Sequence, residues 1–194
     1  MKKYLALAIV FVTIFSVAQS QHINIGIKGG LNIYTVNGSN YYKNTQQLAF
    51  NLGLLGHIHL SKRHALQPEL VYSVEGFKYE SGGSKVDVQL RYVNVPVLFQ
   101  YMFDNGFRLE LGPQLGFLQN AKSREDGTST NVSYKYQRTE LGIAGGFSYV
   151  NPPTGLGIDL RYNHGLSDIN RGSYYESFNR GVQLGLFYLF QHRT

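Results

Sequence analysis

The sequence contains no cysteine, which excludes disulfide bonds and thiolate metal ligands. Charge is also scarce: Asp, Glu, Lys and Arg make up 15% of the residues, against about a quarter in a typical soluble domain. Glycine, tyrosine and phenylalanine are plentiful instead, with 22, 15 and 12 copies. Because aromatic residues favour strands and glycine favours turns and crowded strand positions, the composition indicates an all-β protein.

Clustered positive charge is missing too. The formal net charge is +6, yet no basic run is longer than the pair Lys62-Arg63. A nucleic-acid-binding surface needs basic residues gathered on one face. We therefore expect no nucleic-acid partner.

The N-terminus has the pattern of a signal peptide. A basic Met1-Lys2-Lys3 precedes an apolar stretch over residues 5–17, and Ala18 supplies a small residue just before Gln19. This predicts cleavage between Ala18 and Gln19, with cleavage after Ser20 as the alternative. The apolar stretch is too short to favour a retained membrane helix, and no run of 18 apolar residues follows it.

Alternation dominates the rest of the chain. In the first such segment Ile23, Ile25 and Ile27 alternate with Asn24 and Lys28, the period-two pattern of a strand with two unlike faces. Eight segments share it, each close to the length of a tilted membrane strand. They cover residues 23–33, 48–60, 66–76, 86–99, 107–118, 136–149, 156–165 and 180–190.

The connections between these segments alternate in length. Residues 61–64, 104–106 and 151–154 form tight turns, the last two rich in Asn, Gly and Pro. The other connections are longer and cover residues 35–46, 79–85, 120–131 and 166–179. With residues 1–18 as signal peptide, residues 19–194 are predicted to form one eight-stranded antiparallel up-and-down transmembrane β-barrel, with short periplasmic turns and longer extracellular loops.

A soluble barrel with its apolar face inward is the alternative fold. It is disfavoured because an eight-stranded interior is too narrow for the apolar and aromatic side chains of all eight segments. The polar face is then the interior, where charges must be paired. We expect an internal salt-bridge network that plugs the lumen, rather than an ion path. The predicted interior charges are Lys28, Glu69, Glu75, Arg108, Glu110, Arg138, Glu140, Asp159 and Arg161.

Parity also assigns the outward face. In segment 86–99 it places Val88, Leu90 and Tyr92 outward, and it places Pro68, Pro96 and Pro113 outward with a bulged or frayed rim beside them. Aromatic residues near the segment ends are expected in interfacial girdles. These are Tyr34, Tyr72, Tyr92, Tyr101, Phe103, Phe107, Tyr149, Tyr162, Tyr188 and Phe190.

The last segment carries a further motif. Gln183, Gly185, Tyr188 and Phe190 follow the order polar, glycine, aromatic, aromatic. This resembles the C-terminal signal that the barrel-assembly machinery reads in outer-membrane proteins, where strand addition at an open edge would explain recognition. The machinery is thus an expected partner during biogenesis.

Four stretches resemble the outer-membrane β-barrel family common in Bacteroidota, described as porin-family or PorT-like. They cover residues 66–73, 92–98, 109–113 and 159–166. The resemblance implies an eight-stranded barrel in the bacterial outer membrane over residues 23–190, surrounded by outer-membrane lipid, and it carries no catalytic residue. The PorT role in protein secretion does not follow, because the motifs are family-wide.

Three functions remain open at this stage. The leading hypothesis is a structural or interaction barrel whose outer loops, with Tyr41-Tyr42 and Tyr174-Tyr175, contact other envelope or extracellular molecules. The others are a narrow porin-like channel and an accessory subunit of a secretion or assembly system. No enzyme activity, cofactor or metal is expected: His164 and Ser167 lack a nucleophile elbow, and His57 and His59 lack a third ligand by spacing.

Overall fold

The computed structural model describes residues 23–38, 45–81, 83–172 and 176–190. The predicted cleavage site at Ala18 and Gln19 lies outside these residues. Within them, no helix is long and apolar enough to cross a membrane. The strands are β1 (Ile23–Gly38), β2 (Thr45–His59), β3 (His64–Ser81), β4 (Ser84–Met102), β5 (Phe107–Glu125), β6 (Thr128–Asn131), β7 (Thr139–Val150), β8 (Leu156–Gly165) and β9 (Ser177–Leu189).

Eight of these strands form a closed antiparallel ring. Each pairs with its neighbours along the chain, β4 pairs with β5, and β1 pairs with β9 to close the ring. The short β6 pairs with the far end of β5 and lies outside the ring. The eight-stranded up-and-down barrel is therefore confirmed. Closure satisfies the backbone hydrogen bonds of every ring strand, which lipid demands.

The two ends of the barrel differ. At one end, tight turns near Leu60, Phe103 and Asn151 are closed by backbone hydrogen bonds of 2.8–2.9 Å. At the other end, the β3–β4 and β5–β6 hairpins extend the wall. The loops predicted over residues 79–85 and 120–131 are thus wrong in part, because paired strands continue through them. The tight-turn end is the periplasmic one.

A band of apolar side chains surrounds the ring on its outer face. Leu52, for example, is 64% exposed. So large a contiguous exposed apolar surface is stable against lipid and not against water. The band includes Ile25, Ile27, Leu31, Leu48, Leu54, Leu70, Leu111, Leu115, Leu141, Ile158, Leu184 and Leu186.

In the extracellular half of β4, the inward and outward faces are the reverse of those predicted. Val88, Leu90 and Tyr92 are buried inside, while Gln89 and Arg91 face outward. The reason is that β3, β4 and β5 extend beyond the apolar band, where water surrounds the wall. There the apolar face belongs inside, as in a soluble protein. The alternation of polar and apolar residues was correct, but its direction reverses along the strand.

These inward residues form the extracellular apolar cluster. It closes the extracellular end of the barrel. It also includes residues from the chain segments after β6 and before β9. Its members are Val36, Phe77, Val86, Val88, Leu90, Tyr92, Ala121, Val132, Tyr136 and Ile169. Tyr136 lies on the loop above the ring, and burial raises the pKa of its hydroxyl to about 12, so it stays neutral at any physiological pH.

Two bulges lie toward the extracellular end. β2 gains one residue on β3 between Gln46 and Asn51, and β5 gains one on β4 next to the Arg91–Tyr92 step. By contrast, the register continues unchanged past Pro68, Pro96 and Pro113. The bulge predicted at the prolines is therefore wrong, whereas the frayed pairing predicted as its alternative is present, because two ladder pairs are missing after Pro68 and two after Pro96. Pro96 is also buried, because it shares the inward parity of β4.

The aromatic girdle is confirmed only in part. Outward-facing rings meet near the periplasmic turns, where the Tyr101–Phe103 and Phe103–Phe107 ring centroids lie 5.0 and 5.8 Å apart. Tyr34 and Tyr92 were assigned to the girdle but are 2% and 0% exposed. Both have inward parity in their strands, so they belong to the interior.

Candidate functional site

The interior of the barrel is organised around Arg161 of β8. Its guanidinium donates to both carboxylate oxygens of Glu69 on β3, at 2.9 and 3.0 Å. The same group donates to Glu110 on β5, from Nε at 2.9 Å and from Nη2 at 2.8 Å. Three strands that are far apart in sequence are thus connected across the lumen. The rigid fork of an arginine suits such bidentate contacts.

Lys28 of β1 extends the network to a fourth strand. Its Nζ lies 3.4 Å from an oxygen of Glu69 and 3.4 Å from an oxygen of Asp159. Gln67 donates to Glu69 at 2.7 Å, and Gln100 donates to Glu110 at 2.9 Å. The Gln100 amide satisfies the Glu110 oxygen that Arg161 leaves open, and the Gln67 amide adds a further donor to a Glu69 oxygen that Arg161 already contacts. Sequence reasoning did not assign the glutamines a role, although their inward parity could have indicated it.

The network is dry, and each of its charges contacts a charge of opposite sign. The side chains of Arg161 and Lys28 are 1% exposed, and those of Glu69 and Glu110 are fully buried. Charges in such a place persist only when they are paired and hydrogen-bonded. The arrangement can hold the barrel in one register and block the lumen at this level.

The periplasmic side of the network is closed by further side chains. The Nη1 of Arg108 lies 3.4 Å from Nδ1 of His57, and the rings of His57 and His59 are 4.5 Å apart. A neighbouring guanidinium opposes metal binding at this pair, and no group of three His, Asp or Glu in the described residues could hold a metal ion. A second apolar cluster, of Leu55, Val150, Phe187 and Leu189, also lies in this half of the barrel.

On the extracellular side lie two acidic residues held by amides. Asn94 donates to Glu75 at 2.8 Å, and Asn179 donates to Glu140 at 2.7 Å. Both glutamates and Tyr34 line a cavity of about 10 Å³, roughly the space of one water molecule. The extracellular apolar cluster lies at the end of the barrel beyond this pair.

One predicted interior charge lies elsewhere. The side chain of Arg138 is exposed. Strand β7 begins one residue later, at Thr139, so the inward parity of β7 does not govern Arg138 and its guanidinium reaches water. The interior set thus holds three basic and five acidic residues, instead of the near balance that the sequence suggested. The other eight predicted residues, Lys28, Glu69, Glu75, Arg108, Glu110, Glu140, Asp159 and Arg161, are buried.

The C-terminal motif divides between the two faces of β9. Gln183 is buried, and Gly185 lies opposite Asp159 in the β8–β9 pairing. Tyr188 and Phe190 face outward, with ring centroids 5.2 Å apart. This placement leaves the aromatic pair accessible near the periplasmic end. Its recognition by the assembly machinery stays a prediction.

The extracellular surface is partly described. Tyr41-Tyr42 and Tyr174-Tyr175, the predicted contact residues, lie outside the described residues. Between β6 and β7 the chain makes a single 3-10 turn, Ser133–Lys135. Within this turn Tyr134 is 70% exposed, and the Lys135 ammonium lies 5.9 Å from its ring centroid. Together, β6, Tyr134 and Lys135 are here named the outer tip.

Comparisons with known proteins agree with this architecture. Residues 17–171 match the family model described as outer membrane protein beta-barrel domain. No curated protein matches the chain. Among solved structures, the chain is similar to Neisserial surface protein A, with 13% identity, a TM-score of 0.57, and coverage of 86% of this chain and 97% of that one.

A second structure of similar fold is the attachment invasion locus protein Ail of Yersinia pestis. It shares 19% identity with a TM-score of 0.54, over 86% of this chain and 98% of that one. At such identities the likeness concerns the fold alone. Both the likeness and the family match extend over most of the chain.

Proposed function

The chain belongs to the family of outer-membrane proteins with a β-barrel domain, and from this premise we propose that it is a non-conducting barrel that presents an ordered extracellular surface to a partner molecule. The proposal has two parts: a sealed lumen and an interaction surface. Each has its own experiment.

The packed charged interior is the observation that supports a sealed lumen. Between the extracellular apolar cluster and the cluster around Phe187, the described interior side chains include the ion pairs of Arg161 and Lys28, the amide-bound Glu75 and Glu140, and further amides. An eight-stranded barrel has room only for such side chains. A porin-like channel would need a continuous wet path, and the buried Arg161 lies across the lumen where that path would have to pass.

We expect the reconstituted protein to give no steady conductance in planar lipid bilayers. The experiment records single-channel current from the refolded chain, with a known porin as the positive control. Reproducible unitary steps that scale with salt concentration would contradict the sealed lumen. They would favour the narrow channel instead.

The interaction surface is supported by the way in which the hairpins extend the wall. β3, β4 and β5 continue past the apolar band around the extracellular apolar cluster, so this part is packed like a small soluble domain. β6 pairs with β5 on one side only, and all four of its residues are exposed. An open strand edge beside an exposed aromatic is suited to binding an extended segment of another protein.

A photo-crosslinking amino acid at Tyr134 is therefore expected to give a discrete adduct in intact cells. The matched control carries the same group at Thr154, an exposed residue of a periplasmic turn. The adducts are compared by gel mobility and identified by mass spectrometry. Absence of any adduct specific to position 134 would contradict an interaction through the outer tip.

Two further roles rest on less. An accessory role in secretion or assembly, and with it the PorT-like resemblance, stays a prediction. A stoichiometric partner from a secretion system in the crosslinking experiment would support it. A catalytic role is not proposed, since Ser167 Oγ accepts a 2.8 Å hydrogen bond from the Leu141 N–H and the His164 ring stacks on Tyr162.

A further inference from the structure

A groove opens on the outer wall between β2 and β3, where β2 carries its bulge. The extra residue between Gln46 and Asn51 interrupts the ladder to β3 and leaves a cavity of about 390 Å³ on the outer wall. That is within the size range of small-molecule pockets. The bulge thus creates a concave site in an otherwise convex surface.

The lining of this groove has two chemical halves. Leu48, Phe50, Tyr72 and Val74 make its apolar part, and the Phe50 and Tyr72 ring centroids lie 6.2 Å apart. Arg91 lines it as well, from β4, and lies across the β3–β4 ladder from Val74. The polar half consists of Arg91 and the amides of Gln47 and Gln89, so the groove is apolar on one side and polar with a single cation on the other.

Its height on the barrel determines which molecules can reach it. Leu48 and Phe50 are the last outward apolar residues of β2 on the extracellular side, and they are exposed. Arg91 lies just above them, where the outward face of β4 becomes polar. In an outer-membrane barrel this is the boundary between the acyl chains and the head groups of the outer leaflet.

The charge on Arg91 has no partner of opposite sign in the described part of the chain. The nearest outward carboxylate along β4 is that of Asp87, which forms a 3.8 Å ion pair with Lys78 and accepts a 3.0 Å hydrogen bond from Gln47. No carboxylate of the described residues lies within 4.0 Å of the Arg91 guanidinium. Next along the wall, Lys122 of β5 adds a second positive charge opposite Gln89.

We propose that this groove binds one phosphorylated glycolipid of the outer leaflet, of the lipid A type. An acyl chain lies along Leu48, Phe50, Tyr72 and Val74, and a phosphate accepts hydrogen bonds from Arg91. Guanidinium groups bind phosphate with two parallel N–H donors, and basic residues at a membrane boundary attract anionic head groups. The inference rests on family membership and not on the proposed sealed lumen or interaction surface.

The test uses native mass spectrometry of the detergent-purified barrel with diphosphorylated lipid A as the probe. The wild type should retain one lipid A. Arg91→Gln should raise the apparent Kd about tenfold, as expected for the loss of a charge-assisted hydrogen bond. Val74→Trp, which fills the groove from β3 without changing charge, should weaken retention similarly. Gel mobility and far-UV circular dichroism establish that each variant is folded.

The matched control is Arg124→Gln, an exposed arginine on β5 outside the groove, which should bind lipid A as the wild type does. Dephosphorylated lipid A should bind the wild type as weakly as lipid A binds Arg91→Gln. Equal effects of the two arginine variants, or indifference to phosphate, would overturn the proposal. So would tighter retention of phosphatidylglycerol than of lipid A.

Discussion

Arg161→Met is expected to lower the free energy of unfolding by about 3–5 kcal/mol, the usual cost of removing one partner from a buried ion pair. The guanidinium donates four hydrogen bonds of 2.8–3.0 Å to Glu69 and Glu110. Methionine keeps much of the volume but leaves the two carboxylates in a dry interior without their closest cation, so that Glu69 retains only Lys28 and Gln67 as contacts and Glu110 retains Gln100. Urea unfolding in lipid vesicles, followed by fluorescence, measures the loss.

The matched control is Arg138→Met, which removes the same group from an exposed position. It should change the free energy of unfolding by less than about 0.5 kcal/mol, as surface substitutions usually do. The pair of variants separates a structural role of Arg161 from a general effect of lost positive charge. Equal losses in both would contradict the network as described.

A second comparison tests whether the cost arises from uncompensated charge. Arg161→Met combined with Glu69→Gln and Glu110→Gln removes the cation and both carboxylates together. Replacing a whole buried ion network is often neutral, whereas breaking it is costly. The triple variant should therefore recover part of the loss. A triple variant less stable than Arg161→Met would indicate that shape, not charge, governs this layer.

The sequence predicted the ring well because lipid imposes a simple rule on it. Where a strand separates lipid from a packed polar interior, period-two alternation is strict. The predicted bounds of the segment over residues 156–165 match those of β8. Strand number, antiparallel order and the outward apolar face follow from this rule alone. Strand ends were less predictable, since β3 to β5 pass out of lipid and continue as paired hairpins.

The sequence could not show which face of β4 points inward, and the reason is physical. Alternation shows that two faces differ, but not which one is inside. In lipid the polar face is inside, and in water the apolar face is inside. Val88 and Leu90 lie on the extracellular side of the apolar band. The rule that correctly placed Lys28 and Asp159 in the interior therefore assigned Val88 and Leu90 to the wrong face.

Which interior side chains contact one another could not be predicted without the register of the strands. Parity placed Glu69, Glu110 and Arg161 on the inward faces of their respective strands, and all three are buried. Their meeting at one level depends on strand stagger around the ring and on side-chain reach, which no single segment contains. The same holds for Arg138, whose exposure depends on where β7 begins. The groove beside Arg91 depends on a bulge that the sequence did not indicate.

Gly30→Val is the other substitution with a large expected effect, because it acts where the ring closes. Gly30 of β1 lies opposite Gly185 of β9, with the β9 backbone directly in contact. A methyl group on Gly30 would meet the Leu184 carbonyl oxygen and lie 2.7 Å from the Gly185 Cα. Both atoms belong to the backbone and cannot rotate out of the way, so β1 and β9 would have to separate where they close the ring.

The expected cost is about 3 kcal/mol or more, at the upper end for overpacking, and the β1–β9 pairing should fail before the other pairings. The folded fraction is measured by the mobility of unheated samples in gel electrophoresis and by urea unfolding. Gly29→Val is the control: its Cβ would lie 3.5 Å from Leu52 Cδ1 and 3.6 Å from the Asn51 oxygen, and valine favours strands. If both variants fold equally well, close approach at the seam does not limit closure. If only Gly30→Val fails to fold, two glycines facing each other determine the width of the barrel at the Lys28–Asp159 level. The salt-bridge network then fits the lumen because those glycines let the wall approach it.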